Sequence, residues 1–295
     1  MPPSKATIGI CAYNEEGNIG RLLQNLTSEQ DLPKNWRILV ICSGCTDRTP
    51  AIVKEFQEKD ARVKQIVEQV RKGKSSALNR LFRTVKDDAD VLFLVNADAL
   101  PEKESIRKLA SELAGSDAGA VFARPVPFLG FHGTSYEIVQ VIWRLHHVIS
   151  MLGPPKLSGE LCAIHVPYLR EIPENTATDE PYIEMELQKQ QQAILYVPDA
   201  VVYTRCPTNV FDLLKQRKRI WIGHMQLQNS TGYKVSTSNP KNMLKAVAAL
   251  KPRQIVYAAL GGFLEAIAYF QAKVTFNKGR IPYAWEPIKS TKTPV

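Results

Sequence analysis

Acidic residues are scarce in the last third of this sequence. From Arg205 to Val295 there are 15 Lys and Arg against 3 Asp and Glu, so this segment alone carries +12 in a chain whose net charge is +9. The asymmetry points to a polyanionic partner: a membrane surface, a phosphate-bearing substrate or nucleic acid. The N-terminus, MPPSKATIGI, lacks an apolar leader core, and the five cysteines (11, 42, 45, 162 and 206) are an odd number. Both features argue against a disulfide framework and predict a reduced, cytosolic protein.

Nucleotide signatures are missing too. No G-x-G-x-x-G follows the first apolar run, and Gly73-Lys74-Ser75 lacks the glycine that a P-loop needs five residues upstream, because Glu68 stands there. A dinucleotide-dependent dehydrogenase and a P-loop NTPase are thereby disfavoured. Cys42-Ser-Gly-Cys45 has redox spacing, but Thr46 to Pro50 separate it from the next helix and no second pair of zinc ligands accompanies it. Two small hydrophobes are the simpler reading. No apolar run reaches the roughly 20 residues of a membrane span. The longest, Ile255 to Phe270, has 16 residues with Glu265 as its one charge, and predicts a helix lying on a membrane or packed on the domain.

What is present is an alternation of strand and helix patterns in a chain that is 44% hydrophobic and can bury a full core. TIGICAY, RILVIC, RVKQIVEQ and VLFLV read as strands. Helices are predicted over NIGRLLQNL, after Thr49-Pro50 (an N-cap and a first-turn proline), over Ala77 to Val85, and from Pro101 to Gly115. Residues 134–152, with Trp143, His146 and His147, read as an amphipathic helix; LSGELCAIH and AILYVPDAVVY as strands; residues 209–228 as a helix. The class is α/β, with a mostly parallel sheet covered by helices on both faces. Ligands of such sheets bind beyond the carboxyl ends of the strands, where Asn14-Glu15-Glu16, Ser43 to Asp47, Arg71 to Lys74 and Asn96-Ala-Asp98 fall.

TIGICAYNEEGNIGRLLQNL, SGCTDRT, RKGKSSALN, VNADALP, ATDEPYIEMELQKQQQAILYVPDAVVY and QRKRIW, in that order, resemble the family-2 inverting glycosyltransferases with the GT-A (Rossmann-like) fold, over roughly residues 6–225. The resemblance implies a catalytic domain at 1–230, divided into a nucleotide-sugar half (1–125) and an acceptor half (126–230). A basic, apolar, amphipathic helical extension follows at 231–295. It implies a nucleotide-diphospho-sugar donor, UDP- or GDP-linked, held by Tyr13, Asn14, Glu15, Ser43, Asp47, Lys74, Asn96 and Asp98. Asp98 would be the ligand of a divalent metal, Mg²⁺ or Mn²⁺, which suits an oxygen-only site. Glu180, or Asp179 beside it, would be the catalytic base. Gln216, Arg217, Arg219, Trp221 and Glu160 would meet the diphosphate or the acceptor. Residues 134–152 and the C-terminal segment are similar to membrane-associated, lipid-acceptor members, which implies a lipid-linked acceptor, peripheral attachment to the cytosolic face of a membrane and no nucleic-acid partner.

Three departures from the family pattern stand out: Asn96 replaces the first aspartate of Asp-x-Asp, Cys42-Ser43 replaces an acidic pair, and Ile220 interrupts Q-x-x-R-W. Two rival readings follow from the same sequence. One is a non-enzymatic protein whose basic C-terminal third holds nucleic acid or another polyanion; the other is a homologue that binds donor without turnover.

Overall fold

The computed structural model describes residues 3–128, 132–235, 240–279 and 288–292. Strand β1 (Ala6–Ala12) leads into α1 (Ile19–Gln24), which loosens into a π-helical turn over Asn25–Glu29. β2 (Arg37–Ser43), α2 (Thr49–Lys59), β3 (Val63–Glu68), α3 (Lys74–Val85) and β4 (Val91–Val95) complete the regular alternation. β5 (Ala99–Pro101), α4 (Ser105–Gly115), β6 (Ala120–Pro127), α5 (Thr134–Leu152), β7 (Leu161–His165), α6 (Glu180–Lys189) and β8 (Ile194–Thr204) follow. Three helices come last: α7 (Val210–Thr231), α8 (Pro240–Ala248) and α9 (Pro252–Asn277).

Eight strands form one sheet in the order β3-β2-β1-β4-β7-β6-β8-β5. The β3-β2-β1-β4 block and the β6–β8 pair are parallel, whereas β7 runs against both its neighbours and β5 runs against β8. Alternate residues divide between two cores. Ile8, Ile10, Ile38, Val40 and Phe93 pack under α1, α2 and α4, while Leu39, Ile41, Leu92 and Leu94 pack under α3 and α6. Period-two alternation in strands buried on both sides is what made the runs apolar throughout. Cys42 lies in the first core with Cys45 packed against it, as small hydrophobes would.

Two helix starts differ from the pattern read in the sequence. Pro101 does not open α4: it pairs with Val202 as the last residue of β5, and α4 begins at Ser105, whose hydroxyl bonds the carbonyl and amide of Val201. A proline fits an edge strand as well as a first helical turn, because neither requires its missing N–H. Thr49 is the first residue of α2 and not its N-cap. Its hydroxyl accepts from the Glu15 amide at 2.7 Å, and Asp47 Oδ1 takes the Thr49 amide at 2.9 Å.

The apolar C-terminal run belongs to a 26-residue helix, longer than the run itself. At about 1.5 Å per residue it is long enough to cross a membrane, and an 18-residue window within it has a mean hydropathy of 1.4. Length therefore does not exclude a span. The helix packs lengthwise on α5 and α7, with Gly261, Ala268 and Ala272 buried.

Candidate functional site

The chain runs from β1 out to β2 and β3, then returns to place β4 on the other side of β1. The crevice beyond β1 and β4 is such a switch point, where two loops leave in opposite directions and make room for a ligand. A cleft of about 640 Å³ opens there. Of the residues singled out in the sequence, Tyr13, Glu15, Ser43, Lys74, Asn96, Asp98, Glu160, Glu180, Gln216 and Arg219 line it.

Asn14 and Asp47 have another task. Asn14 adopts a left-handed conformation (φ 51°) and exchanges side-chain bonds with Thr46. Asp47 accepts the amides of Thr49 and Glu16. Both side chains tie the first loop to the second. Gly44, at φ +62°, lets that second loop pass so close to Arg71 that a Cβ would sit 2.4 Å from the Arg71 amide nitrogen. The Arg71 guanidinium carbon lies 3.8 Å above the Tyr13 ring, a cation–π contact that fixes one wall of the cleft.

Asp98 occupies the turn between β4 and β5, which Ala99 closes by donating its amide to Asn96 O at 3.0 Å. Asn96 explains its own departure from the family pattern. Its Nδ2 donates to Glu160 Oε2 at 2.9 Å, and the Thr204 hydroxyl donates to the same oxygen at 3.0 Å. An aspartate at 96 would set two carboxylates face to face. Burial, and after it the charge of Asp98, pushes the Glu160 carboxyl up to about 7. Glu15 is raised to about 7 by the same two causes, opposed by Lys292 and by a bond from Asn18.

In the same cleft, the Lys74 ammonium lies 2.8 Å from Asp179 Oδ2 and 3.2 Å from Glu180 Oε1. Burial alone would favour neutral lysine, but the two carboxylates outweigh it and raise its pKa. Asp179 is enclosed, with 5% of its side chain exposed against 25% for Glu180. Burial and the neighbouring Glu180 charge raise Asp179. Burial works the same way on Glu180, yet Lys74, the amide at the start of α6 and Arg219 overcome it and hold this carboxyl at about 2. Gly159 leaves the space that Glu180 fills: a Cβ there would sit 2.3 Å from Glu180 Oε1.

α7 divides the four residues taken from QRKRIW. Gln216 and Arg219, three apart on one face, line the cleft, and Arg219 Nε donates to Ala177 O at 3.2 Å. Arg217 and Trp221 turn to α9, where both meet Glu265: Arg217 as an ion pair, Trp221 through its indole N–H at 2.8 Å. Trp221 also packs edge-on against Tyr269. The lone acid of the apolar run is thus a partner for α7. His146, held down near 3 by burial, and His147, whose Nδ1 lies 2.7 Å from the Tyr196 hydroxyl, are packing residues.

Two cleft residues carried no signal in the sequence. Arg205 sits immediately after β8. Lys292 pairs with Glu15 and donates to Tyr13 O at 3.3 Å, while Thr291 O accepts from Asn18 and the Ser290 hydroxyl donates to Asp212 at 2.6 Å. Among the described residues, no group of three His, Cys, Asp or Glu is arranged to hold a metal ion unaided. The chemistry of the cleft nevertheless fits a hard cation bound with help from a ligand. Asp98, Glu15 and Glu160 are oxygen donors, and burial first and the Asp98 charge second raise the two glutamates.

A family description, glycosyl transferase family 2, matches residues 7–161. A probable glycosyltransferase, YdaM, of Bacillus subtilis is 34% identical over 124 residues, which are 41% of this chain and 29% of that protein. A beta-monoglucosyldiacylglycerol synthase of Synechocystis is 27% identical over 126 residues, 42% of this chain and 26% of that protein. The matched segment therefore spans under a third of either relative's length. Among solved structures, a mannosyltransferase of Pyrobaculum calidifontis in complex with GDP-Man and Mn²⁺ superposes with a TM-score of 0.66 at 21% identity, over 93% of this chain and 87% of that one. At that identity the likeness shows the fold.

Proposed function

Because the chain belongs to glycosyl transferase family 2, we propose that it moves a sugar from a nucleotide-diphospho-sugar to a hydroxyl acceptor, with inversion at the anomeric carbon. The observation that carries this reading is that Asp98 lines one cleft together with the Lys74–Glu180 ion pair. Asp98 and Lys74 suit a departing diphosphate, and Glu180 an incoming acceptor.

In the proposed reaction the acceptor oxygen attacks the anomeric carbon while the carbon–oxygen bond to the diphosphate breaks, its electron pair staying on phosphate. Glu180 takes the acceptor proton. It is ionised at any working pH because Lys74 faces it. A carboxylate held this low is a weak base, and the diphosphate corrects that: as the Lys74 ammonium turns toward phosphate, its hold on Glu180 relaxes and the basicity rises. Lys74 and Arg219 offset the charge of the leaving group. Mg²⁺ or Mn²⁺ held by Asp98 and the donor's own oxygens would act as a Lewis acid on the diphosphate. The Pyrobaculum mannosyltransferase, solved with GDP-Man and Mn²⁺, supports this assignment by analogy.

The donor test is thermal unfolding with UDP, GDP and their common sugar conjugates, each with and without Mn²⁺. A ligand at 100 times its dissociation constant adds about 2.7 kcal/mol. For a chain of 295 residues that raises the melting temperature by about 4–5 °C. A shift with one base names the nucleotide, and no shift with any of them removes the donor reading.

The acceptor we propose is a lipid or lipid-linked hydroxyl, reached from the surface of a membrane. On α9, Val256, Leu260, Phe263, Phe270 and Val274 recur on one exposed stripe, with Phe263 67% and Phe270 71% exposed. Lys251, Arg253, Lys273 and Lys278 are exposed on the same helix or at its ends. An apolar stripe with basic neighbours is the pattern of a helix seated in an anionic interface. The diacylglycerol-linked name of the Synechocystis relative agrees with such an acceptor. The protein should sediment with anionic vesicles at low salt, and Phe263→Glu with Phe270→Glu should release it. Wild-type protein left in the supernatant would remove the membrane from this proposal.

A further inference from the structure

Arg205 is 5% exposed, and its Nε and Nη2 are enclosed with no hydrogen-bond acceptor. A buried guanidinium without a partner is destabilising, since it has lost water and gained nothing in exchange. The surroundings do not resolve the deficit. Arg21, the nearest cation acting on it, adds like charge. The Phe128 ring, 6.0 Å from the Arg205 guanidinium carbon and 4.4 Å from that of Arg21, is shared between the two. The cleft carboxylates that attract Arg205, Asp98 first and then Glu15, do so without bonding to its Nε or Nη2. Glu15 is taken by Asn18 and Lys292, and Glu160 by Asn96 and Thr204.

Nε and Nη2 form one edge of the guanidinium. Their two N–H bonds run parallel and match two oxygens of a single oxyanion. That edge belongs to a residue lining the same cleft as Lys74 and Asp98, and is joined through Thr204 to Glu160. Buried donors left unpaired in a native fold call for a ligand that completes them. We propose that Arg205 grips the donor's diphosphate through this edge, giving the site a phosphate anchor that works without a metal ion. The proposal rests on the donor reading above. It adds a second, independent hold on the leaving group, opposite in charge logic to Asp98: one acts through a cation, the other directly.

The experiment is calorimetric titration of UDP and GDP, with the corresponding nucleosides as controls, in EDTA and in Mn²⁺. The proteins are wild type, Arg205→Met, Arg205→Lys and Asp98→Asn, each also melted without ligand. In EDTA, Arg205→Met should weaken the nucleoside diphosphate by roughly 10- to 100-fold, the range for a lost charge-assisted pair. Nucleoside binding should not change, and Arg205→Lys should recover part of the loss. Asp98→Asn should bind at least as tightly as wild type in EDTA, since a negative charge near the diphosphate has been removed, and should lose the gain that Mn²⁺ brings. Without ligand, Arg205→Met should melt at or above the wild-type temperature, because an unpaired buried cation has been replaced by an apolar side chain. Equal affinity of wild type and Arg205→Met in EDTA would overturn the proposal. So would wild-type binding that appears only with Mn²⁺, or an Arg205→Met protein that melts lower or fails to fold, since Arg205 would then serve the fold. A wild type that binds neither diphosphate under either condition overturns the donor reading and this inference together.

Discussion

Asp98→Asn should lower sugar transfer by about 10³-fold or more while leaving the fold intact. The side chain keeps its shape but loses the one carboxylate placed at the β4–β5 turn facing the cleft, and with it the electrostatic hold on a hard cation and on the charge that develops as diphosphate leaves. Transfer assays with the nucleotide identified by thermal shift would show the loss, and near-normal turnover would sink the assignment of Asp98. A second readout separates charge from shape. Glu15 and Glu160 have folded-state values raised to about 7 from 4.5, with burial first and the Asp98 charge second. A carboxyl raised on folding costs nothing below its unfolded pKa. Its penalty grows as pH climbs from 4.5 and is complete above about 7. Neutralising residue 98 removes part of that penalty, so metal-free Asp98→Asn should be more stable than wild type at pH 8, by on the order of 1 kcal/mol, with the gap closing below about pH 4.5. An inactive but stabilised variant marks a functional charge.

Glu180→Gln should cut turnover by about 10²- to 10⁴-fold with donor affinity nearly unchanged, the signature of a lost proton acceptor. Glutamine fills the space beside Gly159 and can still accept from Lys74. Asp179→Asn makes the comparison. Asp179 is the more enclosed of the two and its Lys74 contact is the shorter, so this change should lower stability more and turnover less. The opposite ranking would move the base to Asp179. Should Glu180→Gln and Asp179→Asn both keep full activity, the attacking oxygen needs no base, and the acceptor is an anion such as a phosphate.

Much of this architecture was legible. Strands β1, β2 and β4 announce themselves because burial on both faces leaves no polar residue in Ile38–Cys42 or Val91–Val95, and the polar residues that follow each run are therefore at the sheet edge. α5 has the bounds its periodicity predicted, 134–152. Pairings set by tertiary geometry were not legible. Three residues, Ala99–Pro101, are too few to show a period, so Pro101, the last of them, reads as the start of a helix. Trp221 and Arg217 sit in a motif that suggests a ligand, yet a single acid 44 positions after Trp221 draws them away. Arg205 is one cation among the fifteen of a basic segment, and nothing local says that it is enclosed or unpartnered.

The bond from Lys292 to Glu15 joins positions 277 apart in the chain. Its consequence concerns synthesis. At about 5–20 residues per second, Glu15 is made roughly 15–55 s before its partner. The parallel half of the sheet can assemble in that interval, but a nascent chain has one wall of its cleft unbuilt. A chain released early, or one cleaved before residue 288, would keep its core and carry Glu15 with no lysine beside it. A folded domain can thus exist before residues 288–292 complete its cleft.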